Sequence, residues 1–181
     1  MPTPHRFVPR LLLCVALLAG APGMHAANPP QDPLEASIAG EFALQAGQLP
    51  EAARQYLLAA RAANDPVLAE RATRIALLAN EDALARESYG LWQSLAPQQT
   101  APRQAVAATL ALRAGDRRAA RRELQALMRD GNDGWKYVLG ALIGAVGQQP
   151  KLVVAMLDDL VEDDALPNKL EPWLGFGGLA H

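Results

Sequence analysis

The sequence predicts an all-α chain, folded as a row of antiparallel helix pairs, and three observations predict it. From Leu34 onward Ala, Leu, Arg, Glu and Gln dominate, β-branched residues are sparse, and no apolar–polar alternation lasts five residues. Helix breakers recur about one helix apart, at Gly47, Asp65-Pro66, Asn80, Pro97 to Pro102, Gly115, Asp130 to Gly134, Gly147, Pro150 and Pro167. The tight-turn residues Gly47, Asn80, Gly115 and Gly147 are spaced by 33, 35 and 32 residues, a period that fits two short helices per unit.

These breakers place helices near 34–46, 50–63, 66–79, 82–95, 102–114, 116–129, 134–146 and 150–162. Several starts carry cap chemistry. The Asp65 carboxylate can accept a free backbone N–H while Pro66 opens the next helix, and Asp116 can do the same after Gly115. Gly or Asn at the tight turns supplies the left-handed backbone that ends the first helix of each pair.

The landmarks stay in register from one unit to the next. Five residues beyond the first three turns stand Ala52, Ala85 and Ala120, and four further on stand Tyr56, Tyr89 and Leu124. A small residue lets paired helices approach, and the bulky one a turn later fills the groove between them. Gly40 and Gly140 lie seven residues before Gly47 and Gly147, and Pro97 closes the second unit. In this the chain resembles the tetratricopeptide-repeat family over residues 34–166, in about four units. The resemblance implies a right-handed superhelix of antiparallel helix pairs. In the second helix of the fourth unit, the Gly147 register puts Asp159 on the core face. A shift by one turns Val153, Leu157 and Leu160 inward instead, and both registers are open.

Upstream, His5, Arg6 and Arg10 precede the apolar run Leu11–Ala19, followed by small residues from Gly20 to Ala27. A nine-residue run is far short of the roughly 20 residues that span a bilayer. Residues 1–27 are therefore read as a signal peptide cut near Ala27, and residues 28–33 as a Pro-rich linker. No membrane insertion is expected after its removal, and the expected location is the periplasm. Cys14 lies inside the apolar run after Leu13, where a lipid-anchor signal would want a small residue just before the cysteine, so it reads as hydrophobic filler.

Composition narrows the chemistry. The 181 residues carry 17 basic and 19 acidic side chains, and loss of Arg6 and Arg10 moves the formal net charge from −2 to −4. A basic nucleic-acid footprint is lacking. Cys14 and the histidines His5 and His25 fall in the leader, which leaves His181 alone. Disulfides, zinc sites, Cys/His nucleophiles and Ser-His-Asp triads thereby drop out, and no cofactor is expected. In Asp130-Gly131-Asn132-Asp133-Gly134 the last glycine falls where a calcium loop needs an oxygen ligand, so the segment reads as a turn. The acidic cluster of Asp158, Asp159, Glu162, Asp163 and Asp164 reads as a solvated helix end. The arginines Arg113, Arg117, Arg118, Arg121, Arg122 and Arg129 read as a surface face partly offset by that acidic helix, with a dock for an acidic peptide as the rival reading.

What remains is binding. The family resemblance implies a concave face lined by the first helix of each unit. On it would stand Glu41, Leu44 and Gln45, then Glu70, Arg74 and Leu77, then Thr109, Leu112 and Arg113, then Tyr137. Of these, Glu41, Gln45, Glu70, Arg74, Thr109, Arg113 and Tyr137 are the candidate partner-binding residues, for a peptide or a partner protein. The stretch Glu70-Arg71-Ala72-Thr73-Arg74-Ile75-Ala76 after Asp65-Pro66, with Asn80 and Ala96-Pro97, resembles the N-terminal units of long periplasmic tetratricopeptide-repeat proteins of Gram-negative bacteria. One group of these are adaptors of a C-terminal processing protease, anchored by a lipidated cysteine that this chain lacks in usable form. The resemblance implies a non-catalytic scaffold or adaptor. The alternatives are an assembly-only repeat protein that self-associates and a cell-envelope enzyme with a carboxylate-based site. At the C-terminus, Glu171-Pro172-Trp173-Leu174-Gly175-Phe176 opens an incomplete fifth unit at 167–181. Leu174, Phe176 and Leu179 are expected to be left bare there, so the expectation is either the N-terminal part of a longer array or association through that uncapped end.

Overall fold

The computed structural model describes residues 32–129, 133–162 and 175–178. The expected leader at 1–27, residues 28–31 of the linker, Asp130 to Asn132, Asp163, Asp164, Trp173, Leu174 and Leu179 lie outside the described residues. The described residues form eight helices and no strand: α1 Pro33–Gln45, α2 Leu49–Ala63, α3 Pro66–Leu78, α4 Asp82–Leu95, α5 Ala101–Arg113, α6 Arg117–Arg129, α7 Gly134–Val146 and α8 Pro150–Glu162. Each boundary falls within two residues of its sequence-based expectation. None of these helices is long and apolar enough to cross a membrane.

Local chemistry sets the boundaries. Asp32, Asp65 and Asp116 accept backbone N–H groups of the first turns of α1, α3 and α6 at 2.9, 2.7 and 2.9 Å. Gly47, Asn80 and Gly115 are left-handed, with φ of 71°, 58° and 73°. At each of these turns the following amide reaches back five residues to a carbonyl, Gln48 to Ala43, Glu81 to Ala76 and Asp116 to Ala111, at 2.8 to 2.9 Å. The fourth turn departs from the expectation. Gly147 has φ −65°, and the amides of Gln148 and Gln149 both reach Ala145, so the backbone continues right-handed before α8 begins.

Short turns fold each helix back on the one before it, and the apolar faces merge into two clusters that meet on α5. Val106 and Leu110 of α5 close the cluster built on α1 to α4, while Ala108 and Leu112 join that of α6, α7 and α8. Ala52, Ala85 and Ala120 are fully buried, as their register predicts, with Tyr56 and Leu124 packed beside them. Tyr89 differs, being only half-buried. Helix α4 meets α5 much less than it meets α3, and the deep place goes to Trp92, which takes the Tyr89 ring edge-on at 6.1 Å. Arg103, 2% exposed, fixes the connection between them by donating to the carbonyls of Ala96 and Pro97 and to Gln99.

In α8 the shifted register is the one present: Val153, Leu157 and Leu160 are buried, and Asp159 faces Arg117 of α6 at 3.0 Å. That ion pair is the expected offset of the arginine face by the acidic helix. Phe176 overturns its expectation. It is 5% exposed and belongs to the C-terminal cluster, because the single helical turn at 175–177 lies against α7 near Trp135 and Leu139.

Candidate functional site

Helices α3, α5 and α7, the first helices of the second, third and fourth pairs, together line a groove of about 450 Å³, with α5 packed directly on α7. Its floor is made of small or short side chains: Ala105, Val106 and Thr109 from α5, and Gly140, Ala141 and Gly144 from α7. Gly140 and Gly144 stand one helical turn apart and therefore share a face. Added to Gly144, a Cβ would come within 3.1 Å of Thr109 Cγ2, so that glycine lets α5 and α7 approach. At Gly140 it would meet nothing within 4 Å, so that glycine opens space rather than filling it. Leu77, Leu78, Pro102 and Tyr137 give apolar walls, and Arg74, Arg113 and Lys136 supply the charge.

Of the seven candidate partner-binding residues, the fold brings four to this groove: Arg74, Thr109, Arg113 and Tyr137. Thr109 donates its hydroxyl to the Ala105 carbonyl at 3.0 Å, which leaves the hydroxyl oxygen able to accept. Glu70 stays outside the lining and pairs with Arg74 at 2.7 Å. Glu41 and Gln45 lie on α1 and do not reach the groove. Glu41 instead accepts from the Tyr56 hydroxyl at 2.6 Å and pairs with Arg71 at 2.7 Å, while the Arg71 guanidinium sits 4.4 Å from the Tyr56 ring centre. The Tyr56 hydrogen bond, with help from Gln45 and Arg71, holds the Glu41 carboxyl below its ordinary range. Burial first, and then the Glu41 carboxylate, push the Tyr56 phenol up to about 12. Leu112, expected on the concave face, is fully buried in the C-terminal cluster.

Arg113 has a second role that its position on the face does not announce. Its side chain is 7% exposed. Nε donates to the Gly144 carbonyl at 2.7 Å, and Nη1 donates to the Leu77 carbonyl at 3.1 Å and to Asp82 Oδ1 at 3.0 Å. The carbonyls belong to the last turns of α3 and α7, where the helix dipole is negative; that of Leu77 also accepts the Asn80 amide at 3.2 Å. One guanidinium thus ties three pairs together at the groove's end. Beside it, the Gln148 amide reaches Asn80 Oδ1 from turn to turn at 2.5 Å.

The lining that escaped sequence reasoning is the glycine pair of α7 with Ala141 between them, the Ala105–Val106 floor, and Leu78, Pro102 and Lys136. The four-residue spacing of Gly140 and Gly144 was the available signal for the first. Among the described residues no three His, Cys, Asp or Glu side chains gather as a metal site. The chain matches no family model, no curated protein and no solved structure.

Proposed function

We propose that this protein is a non-catalytic, tetratricopeptide-like scaffold or adaptor of the periplasm that holds a peptide segment of a partner protein in the groove between α3, α5 and α7. The observation that carries the reading is the groove itself: an open, mainly apolar trough of about 450 Å³, floored by small side chains, with groups contributed by three successive first helices. Such a trough accepts apolar side chains of a bound segment, while the Tyr137 hydroxyl and the cations of Arg74 and Lys136 offer polar contacts at its walls. The helix-pair period of about 34 residues, with its small and bulky residues in register, supports the repeat reading. The basic, apolar and small-residue order of the first 27 residues supports export. An adaptor that presents its partner to a processing protease is the form of this function that the sequence resemblance favours.

Gly140→Leu tests the reading. The new side chain enters open space and removes a helix-interior glycine, so the fold is expected to hold or gain slightly in stability while the groove fills. A photo-crosslinking residue at Tyr137 should capture a partner in the periplasm of the source cell, and Gly140→Leu in the same chain should abolish that product. An identical crosslink pattern with the groove filled would refute binding there.

A further inference from the structure

The groove lies where the second and third helix pairs are splayed apart. Helix α2 packs closely on α3, and α5 on α7, whereas α4 meets α5 sparingly and α3 approaches α5 hardly at all. The trough occupies that gap, with Arg74, Leu77 and Leu78 of α3 on one side and residues of α5 and α7 on the other. Helix α8 also meets α7 sparingly, but Val153, Met156, Leu157 and Leu160 seat it in the same cluster as α7. Across the splayed junction, Val106 and Leu110 are the apolar side chains of α5, among the described residues, that are buried in the cluster of α1 to α4.

Polar ties cross this junction at its two ends. At the near end, Arg103 fastens the connection at 96–100 to the start of α5 through the Ala96 and Pro97 carbonyls and Gln99. At the far end, Arg113 donates to the Leu77 carbonyl at 3.1 Å and to Asp82 at 3.0 Å, and Gln148 donates to Asn80 at 2.5 Å. Helix α5 joins the two ends as a lever of about 18 Å, so a swing of about 10° at the connection moves its far end by about 3 Å. Hydrogen bonds do not survive a shift of that size. The far-end ties are therefore made or broken together, which gives the junction two discrete arrangements.

We propose that this junction is a hinge, with the connection at 96–100 as its pivot and the bonds of Arg113 to Leu77 and Asp82 and of Gln148 to Asn80 as its latch. The latched form holds the groove at the width that grips a bound segment, and the unlatched form releases it. A segment that touches α3 together with α5 and α7 has more contacts in the latched form and so shifts the population towards it. The gripping and release rest on the groove reading, whereas the hinge itself does not.

Two experiments on the full chain, with Cys14→Ser throughout, test it. Spin labels on Leu78→Cys and Ile143→Cys, both exposed positions, report the distance across the groove. Labels on Arg118→Cys and Ile143→Cys report a distance within the third and fourth pairs. Asp82→Ala with Gln148→Ala should lengthen the first distance by about 3 Å or more and leave the second unchanged. An unchanged first distance, or broadening of both, overturns the hinge. For the latch, purified chain with a photo-crosslinking residue at Tyr137 is mixed with a periplasmic extract of the source cell. Asp82→Ala with Asn80→Cys and Gln148→Cys should capture much less than the parent, and joining the two cysteines with a short bis-maleimide should restore the product. Equal capture before and after joining overturns the gripping role. A parent chain that captures nothing refutes the groove reading, and the gripping role with it, while the two distances decide the hinge by themselves.

Discussion

Replacing Arg113 by Ala removes a side chain that reaches from α5 to the helix pairs before and after it. The loss can be worked from its contacts. Two carbonyls, at Leu77 and Gly144, lose a charged donor at 3.1 and 2.7 Å, and Asp82 loses its counter-ion at 3.0 Å. Because the Arg113 side chain is 7% exposed and Asp82 is 30% exposed, water replaces these partners only incompletely. Hydrogen bonds to charged groups contribute about 1.5–3 kcal/mol each, and removing one member of a buried pair costs about 3–5 kcal/mol, so a total of about 3–5 kcal/mol is expected. In a chain of this size that lowers Tm by roughly 10 °C. Urea unfolding followed by circular dichroism measures it, and the midpoint should fall with no change in slope. Arg113→Lys keeps the charge but can serve only part of the fork, and should fall between the two. A stability of Arg113→Ala within about 0.5 kcal/mol of the parent, the ordinary range for a surface substitution, would refute the clamp. It would return Arg113 to the set of freely exposed ligand contacts.

Two further outcomes are expected. In alkaline titration, the phenolate signal that disappears in Tyr56→Phe should have its midpoint at about 12, because burial and the Glu41 carboxylate disfavour the charged phenol. Since this pKa is raised on folding, its contribution of about 2–3 kcal/mol is complete below pH 10 and lost as pH rises towards 12. Glu41 runs the other way: its lowered pKa contributes above the ordinary carboxyl range and fades as pH falls through the folded value. A Tyr56 midpoint near 10 would contradict this contact. Gly134→Ala should destabilise by about 3 kcal/mol, near the top of the usual overpacking range, although Gly→Ala inside a helix ordinarily stabilises. The added Cβ would lie 2.0 Å from the Leu127 carbonyl oxygen, where only a shift of α7 against α6 relieves it. A thermal melt with Tm unchanged or raised would sink that reading.

The helices were legible because their ends are written in local chemistry. Asp32, Asp65 and Asp116 cap through their own side chains, and Gly47, Asn80 and Gly115 take backbone conformations that other residues resist. Gly147 shows the limit of that logic. A glycine permits the left-handed turn without enforcing it, and here the chain continues right-handed into α8. Tyr89 fails for a different reason. Its burial depends on how closely α5 approaches α4, and that approach is decided by a five-residue connection and the Arg103 fork rather than by Tyr89's own neighbours in sequence. Phe176 likewise became core through contact with α7, more than 30 residues earlier in the chain.

The groove divides along the same line. The family resemblance implies which face of each first helix to look on, and four of the residues it implies, Arg74, Thr109, Arg113 and Tyr137, come together at the groove. The distance between faces cannot be read that way, because it depends on which residues are absent: Gly144 brings α7 onto Thr109, and Gly140 leaves the space that makes a trough. Nor can a charge on a face be assigned to ligand or framework by spacing alone. Arg74 and Arg113 occupy corresponding faces of α3 and α5, yet Arg74 is about half exposed and paired within its own helix, while Arg113 is spent on the last turns of two neighbours. The difference lies in what faces each guanidinium. Arg113 looks into converging helix ends whose carbonyls carry the negative end of the dipole, whereas Arg74 pairs with Glu70 one turn back, a bond that water or a ligand can replace. On the proposed function, Arg74 and Lys136, whose surface ion pairs with Glu70 and Asp133 water can replace, are the cations a bound segment would recruit, and substitutions there should change binding while leaving the melting midpoint in place.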